Sequence, residues 1–596
     1  MKQIKLFTGS IRLVWASTPL WATVNVVLSI VRSVLPLALI FLIKYFIDTV
    51  TAIAGNNLLH PPGEAMLPVI SVVIVFFLDE VTSEFSLYIK KKQSVKLESY
   101  MYGLLHEKSA GLDLINFENP AYFDILARAS REATWRPGSV LNDLISIFRG
   151  ILSLILMSGV LLTLNWWLVI LLFAANIPGV WLRLHFAEIL YNFQRSQTPE
   201  ARKSAYFNWI LTGDRPAREI RLFGLGNYFT GLFRKSFSKQ KDEEIEIIAK
   251  RTWIETVSVL FKAASLFLVL CIVVQRAVTG ALSLGQMALF ILAFRQGMMY
   301  IGETFGSLAS LYEDGLFIGD TFEFLSLKEE ISVTGKEVKA AALDHDIEIR
   351  DLSFTYPGNS QPAIKNVSFR IKKGEIVALV GNNGSGKSTL VRLLSRLYDP
   401  SSGSVIYDGT DIRSIDPAEY RKHFSVVFQD FMLYNLSAGE NIRLGDFSAP
   451  PSSIRIKTAA AVTGVDTLIS LLPEGYDTQI GNLFNESREL SWGEWQKIAI
   501  SRALYRDASV LVLDEPSSAL DAATEYEIFS NLREIVKGKT AILISHRFTS
   551  VRMADRILVL DKGEVAESGT HEELMKRQGL YYSMYSKQIS LKANDG

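Results

Sequence analysis

At 596 residues the chain is long enough for more than one domain. Its 62 Lys and Arg balance 62 Asp and Glu, which excludes the basic surplus of a nucleic-acid binder or a membrane-adhering face. Apolar residues reach 49% with a mean hydropathy of +0.20, too apolar for an ordinary soluble enzyme, while 21% charged residues exclude a wholly membrane-buried chain.

The opening stretch MKQIKLFTGSIRLVW carries basic residues but no short apolar core ahead of a small-residue cleavage site, so the first long apolar run reads as a retained span. Six membrane helices are predicted, at about 19–48, 66–88, 140–164, 166–186, 255–278 and 284–308. The third and fourth are split only by "TLNWW", where Asn165 and the Trp166-Trp167 pair suit a tight turn at a membrane interface. The connection "AIAGNNLLHPPGEA" after the first helix contains no Lys or Arg, and neither does "TLNWW". "KKKQSVK" follows the second helix, and "RKSAYFNW" and "RPAREIRLFG" follow the fourth. The positive-inside rule then places both termini in the cytoplasm. The connections at about 89–139 and 187–254 are helix-patterned, which predicts that the spans continue below the bilayer. The lone Cys271 lies in an apolar run, so an intrachain disulfide or a cysteine metal cluster is excluded.

From about 328 to 346 the chain is polar and reads as a linker between a membrane domain (1–327) and a soluble domain (347–596). Beyond it short apolar strands alternate with helices, the pattern of an α/β domain. In "EIVALVGNNGSGKSTLVRLL" a strand at 376–380 runs into Gly381-x4-Gly386-Lys387-Ser388, and a helix follows. This is a P-loop: Gly381, Asn382, Asn383, Gly384, Ser385, Gly386 and Thr389 wrap phosphate with backbone N–H groups at a helix N-terminus. Lys387 reaches the β- and γ-phosphates and the Ser388 hydroxyl binds Mg²⁺. In "ASVLVLDEPSSALD" a buried strand ends in Asp514, placed for the Mg²⁺ shell, and Glu515 beside it can take a proton from an attacking water. His546 ends another apolar strand, "TAILISH". A histidine there is usually structural, but beside a P-loop a contact to the γ-phosphate is the better reading.

With these motifs in place the chain resembles the ATP-binding cassette (ABC) transporters, specifically exporter-type half-transporters, over almost its whole length. The resemblance implies a membrane all-α domain of six long helices followed by an α/β P-loop NTPase domain of ABC type. It implies that Tyr356 in "FTYPG" stacks on adenine, and that Gln429 in "VVFQD" senses Mg²⁺ and the attacking water. Asp521 in "SALD" would bridge two nucleotide domains, and His546 would be the switch histidine. "NFENPAYFD" (116–124) and "GDRPAREIRLFG" (213–224) would carry the coupling helices.

"LSWGEWQ" (490–496) matches the signature that is usually LSGGQ. Its Ser491-x-x-Glu494 spacing is also a capping box opening a helix. The resemblance implies that Ser491 and the Gly493 amide reach the γ-phosphate bound by another subunit. Trp492 replaces a glycine and Glu494 a glutamine. In a first helical turn φ is negative, so the obstacle at 492 is side-chain volume, and the indole is expected to lie away from the nucleotide, against its own domain or its partner. Glu494 favours the helix N-terminus yet brings negative charge near a triphosphate. Ser487 stands where relatives often carry glycine.

Charges inside the predicted spans are the clue to cargo: Arg32, Asp79, Glu80, Glu84, Arg149, Lys262, Arg295 and Glu303. Such groups face a watery cavity or one another. The expectation is a mixed-charge cavity for an amphipathic or charged peptide, lipid or drug-like substrate, with interhelical ion pairs as the alternative. The resemblance implies ATP-driven export by a multi-pass protein of the cell (inner) membrane, surrounded by lipid and paired with a second copy or a related half-transporter. No leader-cutting protease segment is expected before the first span. A membrane-anchored ATPase that regulates a partner without transport is the rival reading, and an importer a weaker one.

Overall fold

The computed structural model describes residues 2–55, 66–196, 198–328, 331–334, 338–515, 536, 538–545 and 547–594. Two compact units emerge: residues 1–112 with 120–328, and residues 113–119 with 329–596.

The first unit is helical: α1 (Lys2–Ser17), α2 (Pro19–Gly55), α3 (Met66–Gly111), α4 (Pro120–Glu132), α5 (Arg136–Leu162), α6 (Trp167–Ala174), α7 (Ile177–Ser196), α8 (Thr198–Thr212), α9 (Ala217–Leu222), α10 (Gly226–Val278) and α11 (Leu284–Leu325). Among the described residues, α2, α3, α5, α10 and α11 are long and apolar enough to cross a membrane. The helix expected at 166–186 is instead two pieces, α6 and α7, turning at Ala175-Asn176. The cause is local. Asn176 Nδ2 donates to the Leu172 carbonyl at 2.9 Å, competing with the helix ladder, and Pro178 has no N–H to continue it. As the helix-patterned connections predict, α3 and α10 run on for 46 and 53 residues. At 1.5 Å per residue α10 is about 80 Å long, well beyond a hydrocarbon core of about 30 Å. Helix α1 was not expected; its Leu6 and Phe7 pack on Ile318 and Phe322 of α11.

Met157, Leu161, Leu172, Val273, Phe294 and Ile301 form the buried seam of α5, α6, α10 and α11. Glycine lets α5 and α11 touch: a Cβ at Gly150 would lie 3.1 Å from the Thr304 Cβ. Asp48 of α2 accepts from Ser283 Oγ at 2.7 Å and from the Gly285 amide at 3.1 Å, placing a carboxylate on the N-terminus of α11. At the other end of the bundle Arg136 is buried. Its Nε donates to Glu132 at 2.6 Å and its Nη1 to Asp314 at 2.5 Å, and the guanidinium sits 4.1 Å from the Phe317 ring centre.

The second unit holds two sheets built from β1 (Asp346–Phe354), β2 (Ile364–Lys372), β3 (Ile376–Val380), β4 (Ser402–Tyr407), β5 (Thr410–Asp411), β6 (Phe424–Val427), β7 (Val510–Asp514), β8 (Thr540–Ile544), β9 (Arg556–Asp561) and β10 (Glu564–Gly569). One is antiparallel, in the order β2-β1-β4-β5. The other runs β10-β9-β3-β8-β7-β6 and is parallel except for its β10 edge. Strands β3, β7 and β8 are buried throughout, which is why they read as unbroken apolar runs. Their C-terminal ends meet along one edge, where ligands bind such sheets. The segment 113–119 belongs to this unit: Leu114 and Ile115 pack on its core, and Asp113 accepts from the Ile331 amide at 3.0 Å.

Candidate nucleotide site

The loop after β3 becomes a cradle because glycine permits it. Gly384 and Gly386 take φ of +77° and +105°, and a Cβ on Gly386 would lie 2.8 Å from the Ala363 carbonyl oxygen. Gly386 caps α12 (Lys387–Leu394). Lys387 Nζ donates to the carbonyls of Gly381 at 2.8 Å and Asn382 at 3.1 Å, which folds the ammonium over the loop. The Ser385 Oγ is buried without a hydrogen-bond partner. Asn382 accepts from the Ser385 amide at 3.1 Å, closing the turn that holds Asn383.

Asp514 and Glu515 arrive from β7, two strands away. Burial pushes the Asp514 carboxyl above the ordinary carboxylate range and the neighbouring Glu515 charge adds to this, while a hydrogen bond from Ser388 and the charge of Lys387 oppose it. Burial likewise pulls Lys387 below the ordinary lysine range, with Glu515 and Asp514 opposing. Glu515 takes a left-handed backbone, φ +49°, and Gln429 Nε2 donates to its Oε2 at 2.9 Å. The sequence separates these two residues by 86 positions; the sheet brings them together. Tyr356 is tied in as well: its hydroxyl lies 3.0 Å from Thr389 Oγ1 and accepts from Arg392 Nη1 at 3.1 Å, and its ring stands edge-on to Phe354 and Tyr398. Asp521 and His546 lie outside the described residues.

The signature helix begins where the capping box places it. Ser491 is the N-cap of Trp492–Tyr505; the Ser491 amide donates to Glu494 Oε2 at 2.7 Å and the Glu494 amide to Ser491 Oγ at 3.4 Å. The Glu494 charge is thus turned onto its own helix terminus. Trp492 carries no positive φ and lies half-exposed against Phe431 of its own domain, ring centres 5.0 Å apart. Phe431 follows Gln429 by two residues, so the indole braces the segment that reaches Glu515. Before the helix Glu486 takes φ +67°, and Ser487 Oγ donates to the Phe484 carbonyl at 2.6 Å, shaping the loop without a glycine.

Three contacts around the site escaped sequence reading. Gln496 is buried behind the signature, its Nε2 donating to the Glu515 carbonyl at 3.5 Å; the "-WQ" after the signature was its only trace. Phe431 had no trace. Glu118 accepts from the Tyr398 hydroxyl at 2.5 Å and pairs with Arg392 at 3.5 Å, tying the 113–119 segment to the end of α12 that also holds Tyr356. An aromatic pair is worth about 0.5–1.5 kcal/mol, so Trp492→Gly is expected to change ATP turnover by about two- to twelvefold, and by no more. Steady-state ATPase of the purified variant checks this; complete loss of activity would refute bracing as the residue's role.

A glycine cradle, a hydroxyl–carboxylate pair and a capped signature helix on this sheet, in a chain with a helical membrane half, define an ABC transporter. The chain matches the family described as ABC transporter over residues 364–518 and the ABC transporter transmembrane region over 23–301. It is 30% identical over 567 residues to the subtilin transport ATP-binding protein SpaT of Bacillus subtilis, covering 93% of this chain and 90% of that protein. It is 29% identical to the nisin transport ATP-binding protein NisT of Lactococcus lactis subsp. lactis, over 96% of this chain and 95% of that one. An ATP-dependent lipid A-core flippase of Thiobacillus denitrificans is 28% identical over 87% and 88% of the two chains. The fold is shared with a bacterial Atm1-family ABC exporter with ATP bound, at a TM-score of 0.80, 22% identity, and coverage of 95% and 98%. The chain belongs to the ABC transporter family, as an integral membrane exporter that couples ATP hydrolysis to transport.

Proposed function

We propose that two copies of this chain sandwich two ATP molecules, each donating Ser491 and the Gly493 amide to the phosphates held by the other's loop 381–389. The observation that carries this is the join of Gln429 to Glu515 beside Lys387, Ser388 and Asp514. Glu515 takes the proton of the attacking water, Gln429 holds that carboxylate in place, and Lys387 neutralises the β- and γ-phosphates. The donors present fit Mg²⁺, a hard cation that takes oxygen ligands: the Ser388 hydroxyl, the Asp514 carboxylate and the Gln429 amide oxygen would hold it. When bound, Mg²⁺ supplies charge neutralisation across the phosphates. Asp521 and His546 keep the bridging and switch roles that the family resemblance implies. The segments 116–124 and 213–224 keep the coupling role that the family resemblance implies, and the α9 turn leaves Leu222 and Phe223 exposed at 78% and 64%. Both termini lie in the cytoplasm, by the Lys and Arg distribution of the connections.

The cargo we propose is amphipathic and charged, a peptide before a lipid. Arg32 and Asp79 lie near enough to act electrostatically on Arg149, which pairs with Glu303, and Arg32 Nη2 donates to Ser83 at 3.0 Å. Glu80, Glu84 and Arg295 are exposed on the single chain. Ionisable groups avoid lipid, so these three face a cavity that the second copy completes. An apolar cavity of about 710 Å³ lined by Ile151, Ile155, Leu162, Phe173 and Phe305 takes the greasy part of the cargo. The relatives named for subtilin and nisin transport support this order of preference. Neutralising Asp79, Glu80 and Glu84 as Asn, Gln and Gln is expected to alter cargo-stimulated ATPase and leave basal ATPase intact. Equal losses in both would favour purely structural ion pairs. In liposomes the chain should move a charged amphipathic peptide in one direction only when ATP is hydrolysed; ATPase with no flux of any tested cargo would refute the export of such a cargo.

A further inference from the structure

We propose that Lys92 and Lys96 of α3, with Tyr88 and with Trp21 of α2, form a binding site for the headgroup of an anionic phospholipid. The site belongs to the first unit alone and lies where one apolar run begins and another ends. The run of α2 opens at Pro19-Leu20-Trp21, and that of α3 closes ahead of Lys90-Lys91-Lys92. Gln93 Nε2 donates to Thr18 Oγ1 at 3.3 Å, a buried bond that holds the two edges at one level. With these helices crossing the membrane, that level is the interface, where Trp, Tyr and Lys collect because each joins an apolar body to a polar tip.

Lys92 Nζ sits 4.2 Å from the Trp21 ring centre and 5.5 Å from that of Tyr88, and it donates to the Tyr88 hydroxyl at 3.4 Å. The rings hold the ammonium in place without neutralising it. A lysine has three N–H donors, and the tyrosine takes one. Lys91 and Lys96 are exposed, and among the described residues none of these three lysines pairs with a carboxylate. Residues 1–47 and 85–97 contain no Asp or Glu. Elsewhere in the bundle the cations are matched, Arg136 by Glu132 and Asp314, and Arg149 by Glu303. Phe85, Tyr88, Lys92 and Lys96 follow at spacings of three and four, so they share one stripe of α3. The stripe is graded: the stacked, exposed rings of Phe85 and Tyr88, 6.2 Å apart, come first and the lysines beyond them. A phospholipid matches both parts, phosphate on the lysines and acyl chain on the rings. A free phosphate or an acidic peptide matches only the lysines.

Lipid retention by the purified full-length chain in detergent, read by native mass spectrometry, tests the site without transport or ATPase. The chain is expected to keep phosphatidylglycerol over phosphatidylcholine by about tenfold or more. A lysine near an anionic surface changes binding about fivefold. Lys92→Gln should therefore lower phosphatidylglycerol retention about fivefold, and Lys92→Gln with Lys96→Gln about twentyfold. Lys92→Arg should keep it, since the charge stays on the rings. Lys457→Gln, the same charge change at an exposed position of the second unit, should leave it unaltered. Equal retention of the two lipids, or a Lys92→Gln chain no weaker than Lys457→Gln, overturns the site. If Lys92→Gln lowers the melting midpoint, the exposed Lys96→Gln alone decides, with the same fivefold loss expected and no loss overturning the site. Glycerol phosphate at the lipid's concentration should not displace it. Displacement would assign the lysines to a free phosphate, and a poly-glutamate peptide held in place of lipid would assign them to an acidic protein; either result overturns the lipid site.

Discussion

Replacing Glu515 by Gln lowers ATP turnover by about 10²–10⁴-fold and leaves nucleotide binding in place, the range expected when a general base is removed. The substitution keeps shape and removes charge. Backbone strain at φ +49° is the same for Gln as for Glu, so the fold has no new reason to fail. The hydrogen bond from Gln429 also survives, because an amide oxygen still accepts where the carboxylate did. What disappears is the group able to hold a proton from the attacking water. Lys387 and Asp514 remain to bind phosphate and metal, so the variant should hold ATP and trap closed nucleotide domains. Single-turnover hydrolysis and equilibrium binding of a fluorescent ATP analogue separate the two effects. A fall of less than tenfold would move the proton-accepting role away from Glu515.

Arg136→Met destabilises the membrane half by about 3–5 kcal/mol, the usual result of removing one partner from a buried charge network. Arg136 is 4% exposed, and Glu132 and Asp314 are equally hidden at 4% and 2%. Methionine fills the volume and can still lie on the Phe317 ring, but Asp314 loses its guanidinium and Glu132 keeps only Arg131, so two carboxylates are left short of countercharge in a dry site. Arg136→Lys should recover little, because one ammonium cannot reproduce the fork that serves Glu132 and Asp314 together. Pairing Arg136→Met with Glu132→Gln and Asp314→Asn should recover much of the loss. The apparent melting midpoint in detergent, followed by loss of monodisperse protein, reports both. A wild-type midpoint for Arg136→Met would show that the network carries no stability.

The nucleotide site was largely legible because its chemistry is local. A glycine loop, the lysine and serine after it, and an acid pair at a strand end are each spelled within a few residues, and the capping box around Ser491 needs only a spacing of three. The indole of Trp492 was placed only in part. Negative φ in a first turn follows from the helix, so freedom from strain could be read; that the ring settles on Phe431 could not, because 60 residues and a sheet separate the two. Gln496 and Glu118 were hidden for the same reason. The break at Ala175-Asn176 is a different case: Pro178 and Asn176 signal it locally, but uniform apolarity from Trp167 to Ala174 suggested an unbroken span.

By itself, then, the sequence decided the two-part architecture, the rough position of the apolar helices, and the glycine loop, strand-end acid pair and capped helix of the second unit, since periodicity, hydropathy and turn chemistry act between near neighbours. The tertiary fold decided which charges find each other. Arg149 meets Glu303 and Arg136 meets Asp314 across 154 and 178 residues. Asn176 keeps a buried oxygen without a hydrogen-bond partner, because helix packing, which no window of the chain encodes, fixes where each buried polar atom must look for one.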